Sequence, residues 1–257
     1  MVWRTAQAET LRLVTRPRMW ALVAAVGAYG AAASLAERDA VARGAGVQPT
    51  VALGAAVGLQ VLWLLVLALP LVAGGSFGRD RDAGYLRLLY ARGLTPTLAV
   101  IARLLAALEV AAFAVAVVAC TIVAAAVARE SGAIRDLGSA VSFAPQLLGR
   151  SLVAWVALVS AVYALATATV LGISTLLGVF TSELAAQTVP PLLMLILGFA
   201  FVGPLWPLNP LERASFLQIH GVEWAVSPVQ MTLYWLSGLT LIAGLAIMAV
   251  RARRGIW

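Results

Sequence analysis

Six long apolar runs constrain this chain more than any other feature: Met19 to Ala36, Val51 to Ala73, Leu104 to Ala128, Leu152 to Val179, Leu184 to Val202 and Met231 to Val250. Each is near the roughly 20 residues that a helix needs to cross about 30 Å of hydrocarbon. A spanning segment must satisfy its backbone hydrogen bonds internally, which leaves helices or closed barrels, and runs of this length are helical. The composition agrees, with 62% apolar and 11% charged residues against roughly 45–50% and about 25% in soluble domains. The expectation is one all-α, polytopic transmembrane domain over residues 1–257. Only Phe180, Thr181, Ser182 and Glu183 separate the fourth and fifth runs. That spacing reads as a tight turn, with a re-entrant pair as the alternative.

Arginine sets the expected orientation. The net charge of +7 comes from 18 basic residues that are all Arg and flank the apolar runs, which is a topology signal and not a nucleic-acid footprint. Twelve of them (Arg4, Arg12, Arg16, Arg18, Arg79, Arg81, Arg87, Arg92, Arg103, Arg251, Arg253 and Arg254) fall on one side of a six-span chain, and six on the other. The positive-inside rule makes the first side cytoplasmic, with both termini there, and residence in a bacterial cytoplasmic membrane is the accompanying expectation. Residues 1–18 carry no signal-peptide pattern. Trp3, Ala6, Thr10, Leu13 and Val14 share one side of a helical wheel there, and Arg4, Glu9, Arg12 and Arg16 the other. An amphipathic helix lying flat in the interface is expected, bending at Pro17 into the first span.

Several chemistries are excluded or disfavoured. Without a single lysine the chain has no P-loop and no Schiff-base residue. His220 is the one histidine and Cys120 the one cysteine, so neither a zinc pair nor an intrachain disulfide exists, and both residues read as ordinary surface or packing. Asp80 and Asp82 form a D-x-D pair, but Arg79 and Arg81 interleave with it, so no metal or other cofactor is expected on this chain. No G-x-S-x-G elbow occurs, and Ser174 reads as helix packing.

The linker between the second and third runs is the informative segment. Asp80, Asp82, Gly84, Tyr85, Leu86, Leu88, Leu89 and Arg92 lie in it, followed by Thr95, Pro96 and Arg103. Acidic residues at the start and Arg toward the end suit a single helix over 79–92. Acid, Gly, a leucine pair, a later Pro and a basic opening to the next span together resemble the first cytoplasmic loop of ABC-2 type permeases, the membrane subunits of type V ABC exporters. The amphipathic N-terminal segment, six spans, the turn at Glu183 and a Pro- and Trp-rich segment over 203–230 fit the same pattern across the chain. Leu208, Asn209, Pro210, Leu211, Glu212 and Arg213 are similar to an outer motif of the nitrous oxide reductase maturation permeases. The chain departs from the pattern with Arg103 in place of a common Lys and with Asp82-Ala83-Gly84 in place of a Glu-containing version.

The resemblance implies a partner ATP-binding cassette subunit that holds ATP and Mg, and a second permease, identical or paralogous. The linker from Asp80 to Arg92 would then be a coupling helix, and the turn Thr181, Ser182 and Glu183 a second contact. From the residues themselves, Gly54 and Gly58 form a small-xxx-small face suited to a permease seam. Glu109 is an acid inside a span, functional or paired near the surface. The segment over 203–230 is expected as short outer-leaflet helices capping the pathway. Scarce charge in the spans argues against an ion channel and suits lipid-like cargo or force transmission to an extracytoplasmic partner. The competing expectation is a non-transporting scaffold for an outer complex.

Overall fold

The computed structural model describes residues 2–36, 43, 51–91, 93–128, 152–200, 210 and 228–252, and all regular structure among them is helical. Among the described residues there are ten α-helices: α1 Val2–Val14, α2 Pro17–Ala36, α3 Val51–Leu59, α4 Trp63–Ala73, α5 Ser76–Asp82, α6 Tyr85–Ala91, α7 Pro96–Ala128, α8 Leu152–Gly178, α9 Glu183–Ala200 and α10 Pro228–Ala252. Among the described residues, six helical stretches are long and apolar enough to cross a membrane: α2, the run Gly54–Asp82, α7, Val153–Gly178, α9 and Gln230–Ala252. The chain is an all-α, multi-pass membrane protein.

Helix α7 is the hub, packing against α1, α2, α3, α8 and α10. Its buried stripe of Ala99, Arg103, Ala107, Val110, Ala114, Val118, Ile122 and Ala126 recurs every three or four residues. That is one helix face, and small residues on it let neighbouring backbones approach closely. At 33 residues and 1.5 Å per residue, α7 is about 50 Å long, more than the hydrocarbon requires. It starts at Pro96, earlier than the apolar run at Leu104. Thr95 caps it, accepting a hydrogen bond from the Leu98 N–H at 3.3 Å, and Pro96 takes the first helical position, where no N–H is needed.

The second span is segmented. A 3-10 turn, Gln60–Leu62, joins α3 to α4, and Gly74 and Gly75 carry the backbone on into α5 in near-helical conformation. The single helix expected over 79–92 is instead α5 and α6, broken at Ala83 and Gly84. Gly84 has φ +71°, a left-handed conformation that only glycine adopts cheaply, and it reverses the chain.

The small face of α3 is used inside the subunit. Gly58 is buried against α2 and α7, and a Cβ there would come within 2.9 Å of the Gly30 carbonyl. Gly54 is buried as well.

Helix α1 packs along α7 and buries Ala6, Glu9 and Leu13, so a charged residue faces the protein while Trp3 and Leu11 are exposed. The expected separation of apolar and charged sides therefore fails at Glu9 and Arg12. The main core holds Trp155, Tyr163, Leu62 and Leu65, and a smaller one, at the end where α1 lies, joins Phe77, Leu86, Val100, Leu104, Val179, Ala246 and Val250. We call that end the α1 pole. Of residues 203–230, only Pro210 and the start of α10 from Pro228 are described, so the expected outer-leaflet helices lie outside the described residues, with Asn209, Arg213 and His220.

Candidate functional site

Among the described residues, the α1 pole concentrates the ion pairs. At its centre, Asp80 on α5 is 2% exposed. Arg12 of α1 donates to both of its carboxylate oxygens, at 2.8 and 2.7 Å, and Arg103 of α7 donates to Oδ2 at 2.6 Å. Glu9 completes the group, 3.5 Å from each guanidinium. Two cations and two anions cancel, which is how charges survive burial. The Asp80 hydrogen bond, opposed by partial burial, raises the Arg12 guanidinium above its ordinary value. Phe77 lies under Arg103, with its ring centre 4.8 Å from the guanidinium carbon, a cation–π arrangement.

A second tie joins α5 to the turn between α8 and α9. Arg81 donates to the carbonyls of Gly178 and Val179 at 3.2 Å each and to that of Thr181 at 2.9 Å. These carbonyls close a helix C-terminus, where a cation is favoured by the orphan acceptors and the helix dipole. Arg79 and Glu183 pair at 3.3 Å. Backbones meet closely here, since a Cβ on Gly178 would lie 3.1 Å from the Gly78 nitrogen. The two segments expected to be separate contacts therefore form one joined surface.

The expected linker residues divide between core and surface. Leu86 is buried in the smaller core, while Tyr85 and Leu88 are 44% and 61% exposed. Arg87 is exposed beside them, as are Phe180 and Ser182 across the joint. Thr181 donates its hydroxyl to the Leu177 carbonyl at 2.8 Å, and Gly84 makes the turn. Asp82 is half exposed and bound to Arg81 at 2.7 Å, so the D-x-D carboxylates serve different arginines. No metal-ligating cluster occurs among the described residues. The Leu89 side chain and Arg92 lie outside the described residues.

Glu109 accepts a hydrogen bond from Thr10 of α1, at 2.5 Å, which places it against that helix. Away from the pole, Thr169, Met194, Gln230, Tyr234 and Trp235 line a cavity of about 810 Å³ among α8, α9 and α10, beside Pro210.

Sequence reasoning missed the roles of Glu9, Arg12 and Arg103. The available signal was a carboxylate, Asp80, at the end of an apolar run with arginines at the mouths of two other spans.

The chain matches no protein-family model, and no curated protein is significantly similar to it. The geometry of the α1 pole carries the functional reading.

Proposed function

We propose that this chain is the permease subunit of an ATP-driven exporter of the ABC-2 type, resident in a bacterial cytoplasmic membrane with both termini in the cytosol. A separate ATP-binding cassette subunit supplies ATP and Mg chemistry, and a second permease completes the unit. One observation carries the reading: an exposed apolar and cationic patch of Tyr85, Arg87 and Leu88 sits on a helix pair that Arg81 ties to the α8–α9 turn. A soluble partner that pushes on α6 also moves α8 and α9 through that tie, and moves α1 and α7 through Asp80. The cavity beside Tyr234 and Trp235, with a mainly apolar wall, suits a lipid-like cargo.

The test is coexpression with each ATPase that neighbouring genes encode. Copurification and stimulated ATP hydrolysis are expected, and Leu88→Arg should abolish the stimulation while leaving the fold intact. Failure of every neighbouring ATPase to bind would remove the reading. A scaffold for an outer complex is the second reading, favoured by charge-poor spans, and it predicts no effect of Leu88→Arg on that complex.

A further inference from the structure

We infer that the elbow between α1 and α2 binds the phosphate of an anionic phospholipid, gripped by Arg16 and Arg79. Among the described residues, every other arginine of the α1 pole that is not exposed has a close acidic or carbonyl partner: Arg12 and Arg103 have Asp80, Arg79 has Glu183, and Arg81 has the α8 carbonyls. The Arg16 side chain is half-buried and, among the described residues, makes one long hydrogen bond, 3.4 Å to the Val72 carbonyl. Across from it, one Arg79 guanidinium nitrogen is buried without a hydrogen-bond partner, although its twin faces Glu183.

Burial first, and then the nearby charges of Arg79 and Arg12, push the Arg16 guanidinium below its ordinary value, against the opposing pull of Glu183 and Glu9. The elbow is therefore short of negative charge while holding donors in reserve. A phosphate fits that deficit, because guanidinium groups offer forked donors to its oxygens.

The surroundings favour a lipid as the source. Arg16 immediately precedes a membrane span, Trp20 one turn later is 46% exposed, and Leu71 beside Val72 is 48% exposed. Tryptophan at the mouth of a span marks the headgroup layer, and an exposed Leu71 offers apolar surface to an acyl chain. Anionic lipids are also the abundant phosphates at a cytoplasmic leaflet.

The experiment is native mass spectrometry of the full chain in detergent, titrated with phosphatidylglycerol or phosphatidylcholine. Wild type should retain phosphatidylglycerol in preference to phosphatidylcholine, and Arg16→Gln should lower that occupancy about fivefold. Arg4→Gln, which alters an exposed arginine of the adjoining α1, should leave it unchanged. Equal loss in both variants would mean diffuse surface attraction and overturn the site, as would no loss in Arg16→Gln. Displacement of the lipid from wild type by millimolar inorganic phosphate would overturn the lipid as the source. Should Arg16→Gln not fold, equal retention of the two lipids by wild type would overturn the proposal on its own.

Discussion

Asp80 shows what one carboxylate does when three helices converge on it. Its oxygens are shared between Arg12 and Arg103 in a site with almost no water access, so removing it strands two guanidinium groups. Breaking a buried pair from one side costs about 3–5 kcal/mol. Asp80→Asn should therefore lower the thermal midpoint of the detergent-purified protein by several degrees. Asp82→Asn, two residues away and half exposed, should change it little because exposed pairs contribute about 0–1 kcal/mol. Equal shifts for the two variants would contradict the assignment. Arg81 is intermediate. Its three carbonyl contacts are charge-assisted, and Arg81→Gln should cost about 1.5–3 kcal/mol. Arg81→Lys should recover only part, because a single ammonium nitrogen cannot span acceptors that two separate guanidinium nitrogens reach. Chemical denaturation monitored by tryptophan fluorescence would separate the two.

At the scale of elements, glycines decide how α5 meets its neighbours, for two different reasons. Gly84 sits in open space with φ +71°, so Gly84→Ala pays only backbone strain of about 1–2 kcal/mol. Gly78 has ordinary φ but faces backbone, 3.2 Å from the Glu183 nitrogen and the Thr181 carbonyl for any added Cβ. Gly78→Val must push α5 off the α8–α9 turn. It should expose the turn to limited proteolysis near Phe180, which Gly84→Ala should not do. This contrast also explains what the sequence disclosed. The six spans were legible because length and apolarity are local properties, and the start of α7 was written in Thr95 and Pro96 although the apolar run alone placed it later. The break at Gly84 was missed because charge placement along 79–92 favoured one helix, and a glycine's backbone sign is invisible in a one-dimensional pattern. The burial of Glu9 and Arg12 was hidden for another reason. Their partners lie on α5 and α7, well over 60 residues away in sequence, whereas the wheel of α1 reports only which residues share a side. Gly58 was likewise legible as a close-packing position, but whether it meets Gly30 of its own chain or another subunit depends on topology.

For the whole molecule, the α1 pole is the end at which the ion pairs of the described residues collect, and its side of the membrane governs every functional reading. An even number of spans returns the chain to the side from which it began, so α1 and α6 must share a compartment. The proposed cytoplasmic placement of that side rests on its excess of arginine, since translocating arginine is opposed by the membrane potential and by the insertion machinery. Both Thr15 and Arg87 are exposed at this pole, and Cys120 is the only native thiol, so a Cys120→Ser background gives a clean reporter. Thr15→Cys and Arg87→Cys should both react with a membrane-impermeant maleimide in inverted vesicles and both resist it in right-side-out vesicles. Opposite behaviour of the two would break the six-span count. Joint reaction from the outside would leave the fold standing and remove the ATPase partner, because no nucleotide-driven subunit could then reach Tyr85 and Leu88.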